Sequence, residues 1–199
     1  DVIGSPKLTL AWRVSPQVEL YADAGRGFHS NDVRGAVQRV SPTTLDPVDR
    51  VPLFAAADGA ELGARYEGHG LTASVAVWAL RLQSELVYVG DAGDTESTDG
   101  TKRLGAEVLV SWSPRPGINL DFSGAATRAR YRGDPATGDR IPNALEYVAT
   151  AGATVRVTDA SVAQLTVRRL GPAPLIEDDS ARSKSSTVVN LAYTYSLGP

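Results

Sequence analysis

Apolar and polar residues alternate with period two through most of the chain. In Lys7–Val14, Leu8, Leu10, Trp12 and Val14 share one side, with Lys7, Thr9 and Arg13 opposite. In 104–112, Leu104, Ala106, Val108, Val110 and Trp112 oppose Gly105, Glu107 and Ser111. In 145–157, Leu145, Tyr147, Ala149, Ala151, Ala153, Val155 and Val157 oppose Glu146, Thr150, Thr154 and Arg156. The same reading places strands over 17–25, 118–131 and 186–197. Weaker ones fall over 61–67 and 163–170, and a long, nearly apolar one over 71–89. Alternation of this kind is the signature of a strand with two different faces. Several of these stretches have room for the roughly 9–11 residues of a tilted membrane strand.

The connections alternate as well. Tight links stand at Ser15–Pro16, 67–70, 114–117 and 158–160. Long ones stand at 28–59, 90–102, 133–143 and 171–186. A soluble sandwich has no reason to keep this order. An outer-membrane barrel does, because its periplasmic turns are short and its extracellular loops long. Aromatics near strand ends (Trp12, Tyr21, Tyr88, Trp112, Tyr131 and Tyr195) point the same way. The expected fold is all-β: a partial antiparallel transmembrane β-barrel, about nine strands of a larger one. Its alternative is a soluble all-β ligand-binding barrel, in which the apolar face would be interior. A small structural outer-membrane barrel is a second alternative. The membrane reading expects Leu8, Leu10, Trp12, Val108, Val110, Trp112, Tyr193 and Tyr195 to face outward, and Glu19, Asp23, Glu107 and Asp121 inward.

Composition narrows the function. The 199 residues carry a net charge of −3, which argues against a nucleic-acid partner. Charged residues make up 22%, too many for a bundle of membrane helices, and no run approaches the length of a membrane helix. Cysteine is absent, so neither a disulfide framework nor a thiolate metal site is possible. The chain begins at Asp1 and reads as an excerpt of a longer protein. No enzyme constellation emerges. His29 and His69 fall in connections at opposite ends, and no G-x-S-x-G occurs. The acids Asp91, Asp94, Glu96 and Asp99 lack the ligand order of a calcium loop. They and Glu177, Asp178 and Asp179 read as solvated loop charges. No metal site and no cofactor is expected.

The stretch "LYADAGRGFHSNDVRG" (20–35) resembles a segment of TonB-dependent receptor barrels, where a strand runs into a long extracellular loop. The resemblance continues in order through 62–93, 102–132, 140–155 and 168–195, so it covers nearly the whole chain. It implies that 1–199 is part of a barrel of ~22 strands whose plug domain lies elsewhere. It also implies residence in the outer membrane of a Gram-negative bacterium. The implied job is uptake of a scarce ligand: a siderophore-type iron chelate, cobalamin or a similar small-molecule metal complex. The implied partners are the TonB complex, the plug domain and outer-membrane lipid.

Two groups of candidate site residues follow. His29, Ser30, Asn31, Asp32 and Arg34 stand where strand 17–25 gives way to a loop, with Gly25 and Gly27 at the strand's exit. They read as ligand contacts at the vestibule or as an architectural rim that closes hydrogen bonds. Glu19, Asp23, Arg65, Glu107, Asp121 and Arg156, with Glu67 and Arg168, fall on polar faces. In a barrel they would face the lumen, where they would pair with the plug or with each other across neighbouring strands.

Overall fold

The computed structural model describes residues 4–31, 37–41, 45–48, 53–89, 94–98, 100–133 and 138–197, with backbone alone at 85–89 and 94–98. Eleven strands are described: β1 Lys7–Arg13, β2 Val18–Ser30, β3 Phe54–Gly68, β4 Leu71–Leu82, β5 Glu85–Val89, β6 Asp94–Thr98, β7 Thr101–Arg115, β8 Ile118–Tyr131, β9 Tyr147–Thr158, β10 Ser161–Leu170 and β11 Ser186–Tyr195. Nine form one sheet in the order β1-β2-β3-β4-β7-β8-β9-β10-β11, each antiparallel to its neighbours; β5 and β6 pair separately.

Sequential antiparallel pairing puts the four short turns at one end of the sheet and the longer connections at the other. The turns carry the chemistry their geometry demands. His69 (φ 52°) and Gly70 (φ 72°) both adopt positive φ between β3 and β4, the two-residue turn whose twist suits a hairpin. Pro116 followed by Gly117 (φ 84°) closes β7 onto β8. Between β1 and β2, the Val18 and Gln17 amides donate to the Ser15 hydroxyl at 3.1 and 3.2 Å.

Register sorts the side chains. One face takes Leu8, Leu10 and Trp12, then Ala22, Leu62, Val77 and Ala106 across β2, β3, β4 and β7. It continues through Val110, Phe122, Ala151, Val167 and Val189 on β7 to β11. The other takes Glu19, Arg65 and Ser74, then Asp23, Glu61, Trp78, Gly105 and Thr127. The apolar face is not a core. Trp12 is 66% exposed, Leu62 61% and Leu191 78%. Among the described residues the buried apolar side chains are few: Ala55, Leu82, Ile141 and Ala173. A soluble barrel would bury the apolar face. Here it is offered outward, as a lipid-facing sheet requires.

Three boundaries differ from the sequence expectation. β2 runs on to Ser30, so His29 and Ser30 are strand residues rather than the start of a loop. Gly25 and Gly27 suggested a strand exit, but β3 begins at Phe54 and pairs with β2 throughout, Ser30 against Phe54. The stretch 71–89 is not one strand. The Gln83 amide donates to Ala56 O (2.8 Å), the Ala56 amide to Gln83 Oε1 (3.4 Å), and the chain then leaves the sheet. The expected loop at 90–102 therefore contains β6, and β7 begins at Thr101.

Candidate functional site

Three regions gather the candidate residues. The first is the loop end of β2. His29 lies opposite Ala55 of β3, and its Nε2 reaches past that fully buried alanine to Ser84 O at 2.9 Å. Asn31 is buried, and its Nδ2 donates to the Ser84 hydroxyl at 3.4 Å while its amide donates to Leu53 O. These two side chains tie β2 across β3 to the point where β4 leaves the sheet. Small residues at 55–57 on β3 make the crossing possible. Ser30 points to the opposite face and is exposed. Asp32 and Arg34 lie outside the described residues. On the outer side of this corner Phe28 and Phe54 meet edge to face, ring centroids 5.3 Å apart.

The second region is the polar face. Glu19 accepts from Arg65 at 3.0 Å, and the Arg65 guanidinium carbon sits 4.3 Å from the centroid of the Tyr21 ring. Tyr21 lies flat because β3 offers Gly63 beneath it; a Cβ there would collide with the ring. Trp78 does the same over Gly105 of β7 and donates its indole N–H to Glu107 at 3.0 Å. Glycine beneath an aromatic on the neighbouring strand lets a large ring cover the backbone without lifting off the sheet. Asp121 covers Gly152 in the same manner. Glu19, Asp23, Arg65, Glu107, Asp121 and Arg156 all fall on this one face by register. Glu19 and Arg65 pair with each other. Among the described residues Asp23, Asp121 and Arg156 form no ion pair. An open groove of about 590 Å³ runs over β1 to β7, floored by Gly25 and Gly59 and edged by Lys7, Asp23, Glu61 and Trp78. Trp78 escaped the sequence reading because the stretch around it is nearly all apolar. Its parity with Thr72 and Ser74 is the signal that places it on the polar face.

The third region joins two long connections. Arg182 donates to both oxygens of Asp179 (2.6 and 2.8 Å) and to Glu146 Oε1 (2.5 Å). Arg140 faces the same two acids, at 3.0 Å from Asp179 and 3.8 Å from Glu146. The four charges close a ring of alternating sign. Backbone bonds run alongside: Arg140 N to Glu177 O (3.0 Å), Asn143 N to Pro174 O (2.8 Å) and Glu146 N to Pro172 O (3.1 Å). Gly138, at φ 97°, sits hard against the Glu177–Asp178 peptide, where no Cβ fits. The β8–β9 and β10–β11 connections are thus one docked unit. Hydrogen bonding to Glu146 raises the Arg182 pKa further above its ordinary value. Donation from the Ser180 amide lowers that of the Asp178 carboxyl. No local pattern announces this ring, because Arg182 and Glu146 are 36 residues apart.

The His29 and His69 side chains stand at opposite ends of the sheet, His69 held by Tyr66 Oη at 3.3 Å from its Nδ1. No site can contain both.

The family model described as TonB dependent receptor-like, beta-barrel, matches residues 1–198. No curated protein matches the sequence. Among solved structures, the copper transporter OprC superposes with a TM-score of 0.78 at 19% identity, over 98% of this chain and 31% of that one. The ferric yersiniabactin uptake receptor FyuA from Yersinia pestis gives 0.73 at 17% identity, over 95% and 29%. The ferric citrate transporter FecA gives 0.73 at 16% identity, over 98% and 31%. At these identities the likeness is one of fold. The chain spans less than a third of the length of each of these three structures.

Proposed function

This chain belongs to the TonB-dependent receptor β-barrel family, and we propose that it forms part of the barrel wall of an outer-membrane receptor that imports a small metal chelate. Members of this family are transporters, not enzymes. The observation that carries the reading is the division of the sheet into an apolar outer face and a polar inner face edged by Asp23, Glu61, Glu107, Asp121 and Arg156. Such a face needs a polar filling, water or protein, as outer-membrane barrels provide. A plug domain supplied by the rest of the polypeptide would meet the charges that this chain leaves unpaired.

The ligand class is a siderophore-type iron chelate, cobalamin or a similar complex. The solved relatives named for copper, ferric yersiniabactin and ferric citrate support a metal-bearing cargo. His29 and Asn31 serve as the rim of the vestibule: their hydrogen bonds to Ser84 favour an architectural duty over direct ligand contact. The TonB complex supplies energy through the plug, and the protein resides in the outer membrane of a Gram-negative cell.

The test is uptake by cells expressing the full-length protein. Radiolabelled ferric citrate, a ferric catecholate, copper and cobalamin are offered one at a time, with and without TonB. Accumulation of one of them that disappears without TonB supports the reading. Accumulation that persists without TonB, or loss of the protein from the outer-membrane fraction, contradicts it.

A further inference from the structure

The polar face is not uniform. On β1 to β3 it carries Lys7, Arg13, Glu19, Asp23, Glu61 and Arg65, with Tyr21 flat on β3 and Trp78 of β4 flat on β7. Further along the sheet, toward the turns, the charges thin out. Register sets Thr72, Ser111, Asp121, Gly152, Thr166 and Asn190 in one row across β4, β7, β8, β9, β10 and β11. Ser74, Ser123 and Thr150 lie in the row above, beside Leu109 and Arg168. Asn119, Thr154 and Gln164 lie in the row below, ahead of Arg156. Open recesses follow this strip. One of about 400 Å³ lies over Ser74, Ser111, Asp121, Ser123 and Thr150. One of about 600 Å³ lies at the turns, over Ser113, Asn119, Thr154 and Arg156.

The two halves suit different neighbours. Tyr, Trp and Arg are enriched where proteins pack against each other, and Ser is depleted there. The β1–β4 half has the rings, and its groove over Gly25 and Gly59 is shaped to admit a protruding element. The three rows of the strip carry no ring. Ser113 donates to Asn119 at 2.9 Å, but among the described residues the side chains of Thr72, Ser111, Ser123, Thr150 and Thr166 have no protein partner. A dry contact would have to match each of these hydroxyls or leave it unsatisfied, a cost that water avoids. A hydroxyl both donates and accepts, and it turns to suit its neighbour. A wet wall of them exchanges hydrogen bonds with a passing polar solute and has few fixed charges to hold it. Passage requires binding of that kind, weak and spread over many sites.

We propose that the plug seats against the β1–β4 half, and that the hydroxyl strip on β4 and β7 to β10 stays water-filled as the wall along which the cargo crosses toward the turn end. The inference rests on the receptor reading above and adds to it a side of the barrel. Absence of TonB-dependent uptake by the wild type would overturn that reading, whereas labelling of the purified receptor tests this one, so the two fail separately.

The experiment places single cysteines at Ser123, Thr154, Ala11 and Ala57 of the full-length receptor in detergent, with any cysteine outside residues 1–199 replaced. Ala11, Ser123 and Thr154 all lie in the turn-side halves of their strands, so distance from the turn-end mouth does not separate them. S123C and T154C should react with a small hydrophilic maleimide about tenfold faster than A11C and A57C, whose contact with the plug must open first. Unfolded in denaturant, all four should react alike. In cells, Ser123→Trp should abolish the TonB-dependent uptake that the wild type shows for ferric citrate, a ferric catecholate, copper or cobalamin, and Ser123→Thr should keep it. Equal rates at the four sites of the folded receptor, or faster reaction at Ala11 and Ala57, would overturn the proposal. So would wild-type uptake by Ser123→Trp in a receptor that keeps its heat-modifiable form.

Discussion

Replacing Arg182 with glutamine should loosen two loops at once. Arg182 bridges Asp179 and Glu146, and Arg140 closes the ring from the other side. The four side chains are between 23% and 36% exposed, so each pair is partly screened by water. Pairs of this kind contribute about 0.2–1 kcal/mol each, with the upper part of the range reserved for bidentate geometry and networks. Arg182 has both, through Asp179 and the closed ring. The substitution removes two pairs and leaves two carboxylates facing Arg140 alone, which should raise local opening severalfold. Hydrogen exchange on the full-length receptor in detergent reads this directly. Amides of 138–146 and of 171–185 should lose protection together and by a similar factor. The same two segments should respond to 1 M salt in the wild type and less in the variant, where the Arg140 pairs alone remain. Faster exchange confined to 171–185 would refute the reasoning, because the two connections would then not be one unit.

Four further outcomes follow from the same geometry. Gly105→Ala should force the Trp78 indole off β7 and break its bond to Glu107, which a red shift in the Trp78 emission of the full-length receptor, taken as the difference from its W78F counterpart, would report; an unchanged difference spectrum contradicts the packing. Asp178 has a folded pKa below its ordinary value, so its contribution is complete above an unfolded pKa of about 3.9 and is lost as pH falls through the folded value. Protection at 178–181, taken relative to the intrinsic exchange rate at each pH, should therefore be flat from pH 7 to 5 and fall in stronger acid, and D178N should remove the acid-dependent part. On intact cells carrying the full-length protein, a cysteine at Ser180 should react with an impermeant thiol reagent and one at Gly117 should not; the reverse pattern would invert the topology. Residues 1–199 expressed alone should aggregate, because β1 and β11 each present an unpaired edge; a monodisperse, heat-modifiable monomer would show that the segment closes by itself.

Much of the fold is legible in period two. Leu104, Ala106, Val108, Val110 and Trp112 declare one face of β7 without help from any neighbour, and the short turns declare their positions through Pro116–Gly117 and His69–Gly70. What the alternation could not convey was where pairing stops. Gly25 and Gly27 weaken a strand on local grounds, yet thirteen partners on β3, from Tyr66 to Phe54, hold β2 in the sheet to Ser30. The run 71–89 keeps its apolar character beyond Leu82, while Gln83 ends the ladder with its own side chain. Site residues followed the same rule. The polar face was visible from Glu19, Asp23, Glu107 and Asp121, since parity alone sorts them. The bonds from His29 and Asn31 to Ser84, and that from Arg182 to Glu146, join residues 36 to 55 positions apart. No local pattern encodes such meetings.

The central claim is the direction in which the two faces point, and spin labels read it most directly. Labels are placed singly at Ser74, Val75, Ala76 and Val77 of β4, and at Leu104, Ala106, Glu107 and Val108 of β7, in the full-length receptor reconstituted into lipid. Collision with molecular oxygen, which concentrates in hydrocarbon, should be high at Val75, Val77, Leu104, Ala106 and Val108, and low at Ser74, Ala76 and Glu107. High oxygen accessibility at Ser74, Ala76 and Glu107 with low values at their neighbours would contradict the account, because the apolar face would then be the interior of a soluble fold.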